Sequence, residues 1–191
     1  LAAVIHDRAA AAQEINQQTE IGILLALPGL LVTLVFAKWV VFLLYSSKFM
    51  PAAEVLVWMV LGVFGRVISW PLGYIQVAMN AKRWYLGTEI GFIVFQAALV
   101  TWWVAQRGAM GAAYAFFACY AVYFFAMCLI AKRLIDFRHS PAAWRLIAGA
   151  SLLFAVVMIA PHVLGDRVAL ALGGLLALAG GLWCLRELAQ R

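Results

Sequence analysis

Charge is what this chain has least of. Only 12% of its 191 residues are Asp, Glu, Lys or Arg, and the acids number 8. A soluble globular domain carries about 25% charged residues, so that class is excluded. Chemistry-bearing residues are equally sparse. The cysteines Cys119, Cys128 and Cys184 lie inside apolar runs without paired spacing, which fits small buried hydrophobes rather than a disulfide framework or a metal site. His6, His139 and His162 are scattered, and no cluster forms a ligand set or supplies a catalytic base. An embedded acyltransferase or polymerase needs convergent histidine, carboxylate or arginine groups, and none converge here. No metal, no cofactor and no enzymatic activity is expected.

What is present is hydrocarbon. Hydrophobic residues make up 67% of the chain and the mean hydropathy is +0.99, which predicts an all-α, polytopic membrane protein. The net charge of +6 would suggest a nucleic-acid partner in a soluble protein, but the basic residues fall at the ends of apolar runs, where topology accounts for them, so no nucleic acid is expected. The chain opens on Leu1 without the basic, apolar and small-residue regions of a signal peptide, and is expected to begin partway through a longer protein.

Six spans are legible. Residues 1–19 are polar and Ala-rich and read as a helix end and loop at the membrane surface. Residues 20–37 form the first span, with Pro28-Gly29 inside it and Lys38 after it, as an interface anchor or a cavity residue. Residues 39–45 read as a short interfacial helical turn and 46–51 as a loop. Further spans cover about 53–79, 85–105, 111–131, 145–162 and 167–185, and residues 132–144 form the most polar connection. Two stripes of small residues four apart, Gly111-Ala115-Cys119 and Ala169-Gly173-Ala177-Gly181, predict close helix packing. Glu20, Glu54 and Glu89 fall near span ends and read as solvated.

The second span is the informative one. Arg66 sits at its middle, where a guanidinium costs from roughly 2.5 to more than 10 kcal/mol unless it faces protein, water or an anion. The string Ser69-Trp70-Pro71-Leu72-Gly73 follows, and its proline predicts an interrupted helix of the kind that lines a cavity. A guanidinium pairs phosphate oxygens bidentately, so Arg66 is the candidate for an anionic ligand. Its alternative role is a charge held by a carboxylate or by freed carbonyls. Trp70, Tyr74 and Gln76, with Trp58, could stack on or hydrogen-bond sugars, or serve packing and interface anchoring. Gln96, mid-way along the third span, fits a cavity wall or an interhelical hydrogen bond equally well.

Counting Lys and Arg by alternate connections places nine on one side (Arg8, Lys82, Arg83, Lys132, Arg133, Arg138, Arg145, Arg186, Arg191) and three on the other (Lys48, Arg107, Arg167). Basic connections stay cytoplasmic, so both ends of the chain are expected inside.

Several of these stretches resemble one family. Asn16-Gln17-Gln18-Thr19-Glu20, Ala26-Leu27-Pro28-Gly29, Leu44-Tyr45-Ser46-Ser47-Lys48-Phe49, and above all Ile68-Ser69-Trp70-Pro71-Leu72-Gly73-Tyr74-Ile75 with Ala78 are similar to O-antigen translocases. These are polysaccharide flippases of the multidrug, oligosaccharidyl-lipid and polysaccharide exporter superfamily. Gly108-Ala109-Met110-Gly111 with Tyr114-Ala115 looks like the turn into a late helix of that group. The resemblance covers about residues 10–138. It implies the C-terminal portion of a two-lobe transporter: residues 20–134 as four helices of the flippase core, and residues 135–191 as an extra helix pair with a short cytoplasmic tail.

The resemblance further implies a lipid-linked oligosaccharide as cargo, carried on polyprenyl pyrophosphate and moved across the bacterial inner membrane by alternating access. A polysaccharide polymerase and a chain-length regulator would be partners beside the bilayer itself. Arg66 would hold the pyrophosphate, with Trp70, Tyr74, Gln76 and Gln96 toward the sugars, and Pro28, Gly29, Pro71 and Gly73 as hinge points. Two alternatives remain: a small-molecule exporter of the same superfamily, against which a lone Arg66 without a compensating central acid argues, and a purely structural membrane subunit, which leaves Arg66 unexplained.

Overall fold

The structure, a computed structural model, describes residues 7–190. The parts of the N-terminal and C-terminal expectations that fall on residues 1–6 and on Arg191 lie outside the described residues. Seven α-helices follow in order: α1 (Arg8–Val35), α2 (Ala37–Leu44), α3 (Ala52–Ala78), α4 (Lys82–Arg107), α5 (Ala109–Ile135), α6 (Pro141–Leu164) and α7 (Asp166–Ala189). All but the short α2 are long and apolar enough to span a membrane, which makes this a polytopic helical membrane protein with six spans. A single 3₁₀ turn, Ser47–Phe49, lies between α2 and α3.

Helix ends are set by local chemistry. Asp7 caps α1, its carboxylate accepting from the amides of Ala9 and Ala10 at 3.0 and 3.2 Å. Ser140 caps α6 in the same way, accepting from the Ala143 amide at 2.9 Å, with Pro141 in the first turn, where its missing N–H has no partner to lose. The α4–α5 connection is one residue, Gly108, at φ 56°.

The helices form a sequence of packed neighbours. α3 lies between α5 and α1, α4 packs against α5 and also touches α3, and the α6–α7 pair docks on α1. The interior joins Ile23, Leu27 and Leu31 of α1 to Ile68, Leu72 and Ile75 of α3, with Met127 of α5 and Phe154 of α6. In hydrocarbon such contacts rest on close fit rather than on expulsion of water, which explains the small-residue stripes. Gly111, Ala115 and Cys119 are buried. A Cβ on Gly111 would overlap the Trp103 carbonyl, so α4 and α5 touch backbone to backbone there. On α7, Gly173 faces Val35 and Gly181 faces Pro28, so that stripe packs on α1.

Three expectations need correcting. Residues 8–19 are helix continuous with the first span rather than a loop, because the polar stretch is capped at Asp7 and finds partners of its own. Asn16 receives the Ser140 amide at 2.8 Å and donates to the Arg138 carbonyl at 3.2 Å, while the Ser140 hydroxyl donates to Glu20 at 3.0 Å. Glu20 is therefore buried against the α5–α6 connection, not solvated. The helix interruption expected at Pro71 is also absent: α3 is helical through Pro71, as α1 is through Pro28. A proline deletes a single ladder donor, and the flanking turns of a 27-residue helix carry the chain through it. Lys38 is exposed, lies 3.9 Å from Asp166 and does not line the cavity between α3, α4 and α5.

Candidate functional site

A cavity of about 400 Å³ opens between α3, α4 and α5. α3 contributes Arg66, Trp70, Gly73, Tyr74, Gln76 and Val77, residues that recur at three- and four-residue spacing and so share one face. α4 adds Tyr85, Glu89 and Gln96, and α5 adds Tyr120 and Tyr123. All five residues singled out as ligand candidates, Arg66, Trp70, Tyr74, Gln76 and Gln96, thus border one cavity, as does Gly73. Pro28 and Gly29 do not, and Trp58 lies in the other half of the helix group.

The side chains differ in how free they are. Arg66 is the fifteenth of the 27 residues of α3, and its guanidinium carbon sits 5.9 Å from the centre of the Tyr120 ring, a cation–π distance. Among the described residues no carboxylate comes within 4.0 Å of its guanidinium, so Arg66 and Glu89 share the cavity without closing on each other. Trp70 and Tyr74 stack at 6.3 Å and 21° and are 61% and 47% exposed, which leaves their faces available. Gln76 is different. It is 1% exposed, its carbonyl oxygen accepts from the Thr88 hydroxyl at 2.9 Å, and its amide nitrogen lies 3.5 Å from Met127 Sδ. That amide joins α3 to α4 and α5, and its role at the wall is to hold the three helices in register.

Sequence reasoning missed Tyr85, Glu89, Tyr120 and Tyr123. The signal for α4 was there: Tyr85, Glu89, Phe92 and Gln96 recur at four-, three- and four-residue steps along one side of an otherwise apolar helix. Glu89 also weakens the case against a cationic cargo, since an acid does border the same cavity as Arg66.

The cavity occupies the half of the group next to the short α3–α4 connection. The other half is filled by rings: Trp58 meets Tyr114 at 4.9 Å and Phe117 at 5.4 Å, and Arg107 caps the Tyr114 ring at 5.7 Å. One end is thus open and polar, and the other is closed by aromatic packing. No group of three or more potential metal ligands occurs among the described residues. Outside the spans, His139 sits among Phe124, Phe137 and Trp144, with ring centres 4.9 to 5.8 Å away, and burial pushes its imidazole down to about 4.

Fold and cavity together define a polytopic α-helical membrane protein with an amphipathic cavity that holds a guanidinium at mid-span without an ion-pair partner among the described residues. Comparison with known proteins narrows this. The chain is similar to the lipid III flippases of Escherichia coli (strain K12) and Shigella flexneri, 32% identical to each over 93 residues, which is 49% of this chain and 22% of each relative. The likeness to lipid flippases read from the sequence therefore holds, although the name of these relatives specifies lipid III rather than an O-antigen unit. No family model and no solved structure matches the chain.

Proposed function

We propose that the chain is one wall of a flippase that carries a lipid-linked, pyrophosphate-bearing oligosaccharide, of the O-antigen or related polysaccharide type, across the bacterial inner membrane. The observation that carries this reading is Arg66: a permanent cation at the centre of a span, bordering a 400 Å³ cavity and held by no acid among the described residues. In a low-dielectric wall such a group attracts an anion strongly, and its planar fork suits phosphate oxygens. The stacked Trp70–Tyr74 pair offers flat faces to sugar rings, and Gln96 offers an amide.

Alternating access supplies the cycle. With both chain ends cytoplasmic, as the distribution of basic residues favours, the cavity opens inward and the Trp58–Tyr114–Phe117 packing seals the outer side. A second lobe outside this chain would complete the path, with Pro28, Gly29, Pro71 and Gly73 as the points of flexure. Substrate drives the exchange only insofar as it binds the two states differently. The core helices would carry transport, the α6–α7 pair would be an accessory, and a polymerase and chain-length regulator would receive the product.

Glu89 favours a second reading, a small-molecule exporter of the same superfamily whose cavity accepts organic cations. One experiment separates the two. In the full-length protein, Arg66→Ala is expected to abolish surface polysaccharide and to leave lipid-linked intermediate at the cytoplasmic face, with Arg66→Lys intermediate. Normal polysaccharide from an inserted Arg66→Ala protein, combined with loss of resistance to organic cations in Glu89→Gln, would favour the exporter.

A further inference from the structure

A second concavity adjoins the first. A groove of about 310 Å³ runs between α1 and α3, lined by Gln18 and Gly22 on one side and Val67, Trp70, Pro71 and Tyr74 on the other. The spacing, four residues on α1 and three, one and three on α3, makes it a channel along the two helices rather than a pit in one. Its character is the opposite of the cavity's. Among the described residues no charged side chain borders it, whereas Arg66 and Glu89 border the other. Gly22 keeps it shallow-walled: a Cβ there would meet Val67 Cγ1 at 3.6 Å, so any longer side chain would project into the channel.

Trp70 and Tyr74 belong to both. The stacked pair is a ledge with a charged cavity on one side and an uncharged groove on the other. Rings with an apolar body and a polar tip take such a position wherever hydrocarbon meets water. We propose that the groove receives the hydrocarbon chain of a single-chain lipid whose phosphate or pyrophosphate head occupies the Arg66 cavity, so that the molecule lies across the Trp70–Tyr74 ledge. This rests on the reading of the cavity as an anion site, and adds to it a subsite for the tail. One narrow groove suits one chain, and continuity with the charged cavity ties the chain to an anionic head rather than to a bulk lipid.

The test uses the full-length protein in detergent with two probes, farnesyl pyrophosphate and inorganic pyrophosphate. Filling the groove with Gly22→Leu is expected to weaken farnesyl pyrophosphate binding about tenfold or more, as loss of a few buried methylenes would, and to leave inorganic pyrophosphate unaffected. Arg66→Ala weakens both probes if the anion reading is right. Undiminished farnesyl pyrophosphate binding by Gly22→Leu, or equal affinity of the unaltered protein for the two probes, overturns the groove and leaves the cavity standing. Indifference of both probes to Arg66→Ala overturns the cavity reading itself. Should Gly22→Leu fail to fold, a benzophenone-bearing farnesyl pyrophosphate on the unaltered protein gives the answer. Labelling of the peptides that carry Gly22 or Val67 supports the groove. Labelling confined to other helices refutes it.

Discussion

The close approach of α4 to α5 and of α5 to α3 builds the cavity, and a glycine series tests it quantitatively. At Gly111 a methyl group would overlap the carbonyl oxygen and carbon of Trp103 and lie 2.7 Å from the Val104 nitrogen. Those are all backbone atoms, so nothing can rotate aside and the helices must separate. At Gly62 the overlap is with the Phe116 ring, which can swing, although the Phe117 Cα at 3.3 Å limits how far α3 can shift. At Gly73 the nearest atom is the Tyr123 hydroxyl at 3.9 Å, an ordinary contact, and at Gly149 nothing lies within 4 Å. Overpacking costs about 1–3 kcal/mol, more where only backbone can move, while alanine for glycine inside a helix contributes about 0.5–1 kcal/mol. The expected order of thermal stability in detergent is therefore Gly149→Ala slightly above wild type, Gly73→Ala near it, Gly62→Ala lower by about 1–3 kcal/mol, and Gly111→Ala lowest. A Gly111→Ala protein as stable as wild type would refute the backbone contact that pins α4 to α5 at the end opposite the cavity.

Two further predictions concern the α5–α6 connection. Ser140→Ala removes a helix cap and the hydroxyl donated to Glu20, and is expected to lower stability by about 1–3 kcal/mol, read as a drop in the thermal midpoint. For His139 the folded pKa of about 4 lies below the 6.5 of a free imidazole, so the unfolded state takes up a proton first as pH falls. Its contribution to stability is complete above about 6.5 and declines toward pH 4; His139→Phe should flatten the dependence of the midpoint across that window.

The spans were legible because a run of about 20 apolar residues in so weakly charged a chain has nowhere stable to lie but across a bilayer; most observed ends fall within a few residues of those expected, the start of α1, twelve residues earlier at Arg8, being the exception. Arg66, Trp70 and Tyr74 were legible as a group because one helix places residues four apart on one face. Tyr120 and Tyr123 were not, since their place at the cavity depends on which side of α5 meets α3, and that is decided by the fit of Gly62 and Gly65 against Phe116 and Tyr120. Glu20 was misread for the same reason: its partner Ser140 lies 120 residues away. Gln76 does border the cavity, but only the structure shows its amide occupied by Thr88 and Met127. Pro71 signals a break when taken alone, whereas one missing donor in a 27-residue helix leaves α3 helical through it.

The most direct measurement of the central claim is movement of a fluorescent polyprenyl-pyrophosphate oligosaccharide between the leaflets of vesicles containing the purified full-length protein, followed by quenching from outside. The account predicts transfer by wild type, slower transfer by Arg66→Lys, and none above empty vesicles by a correctly inserted Arg66→Ala. Transfer by Arg66→Ala at the wild-type rate would contradict it.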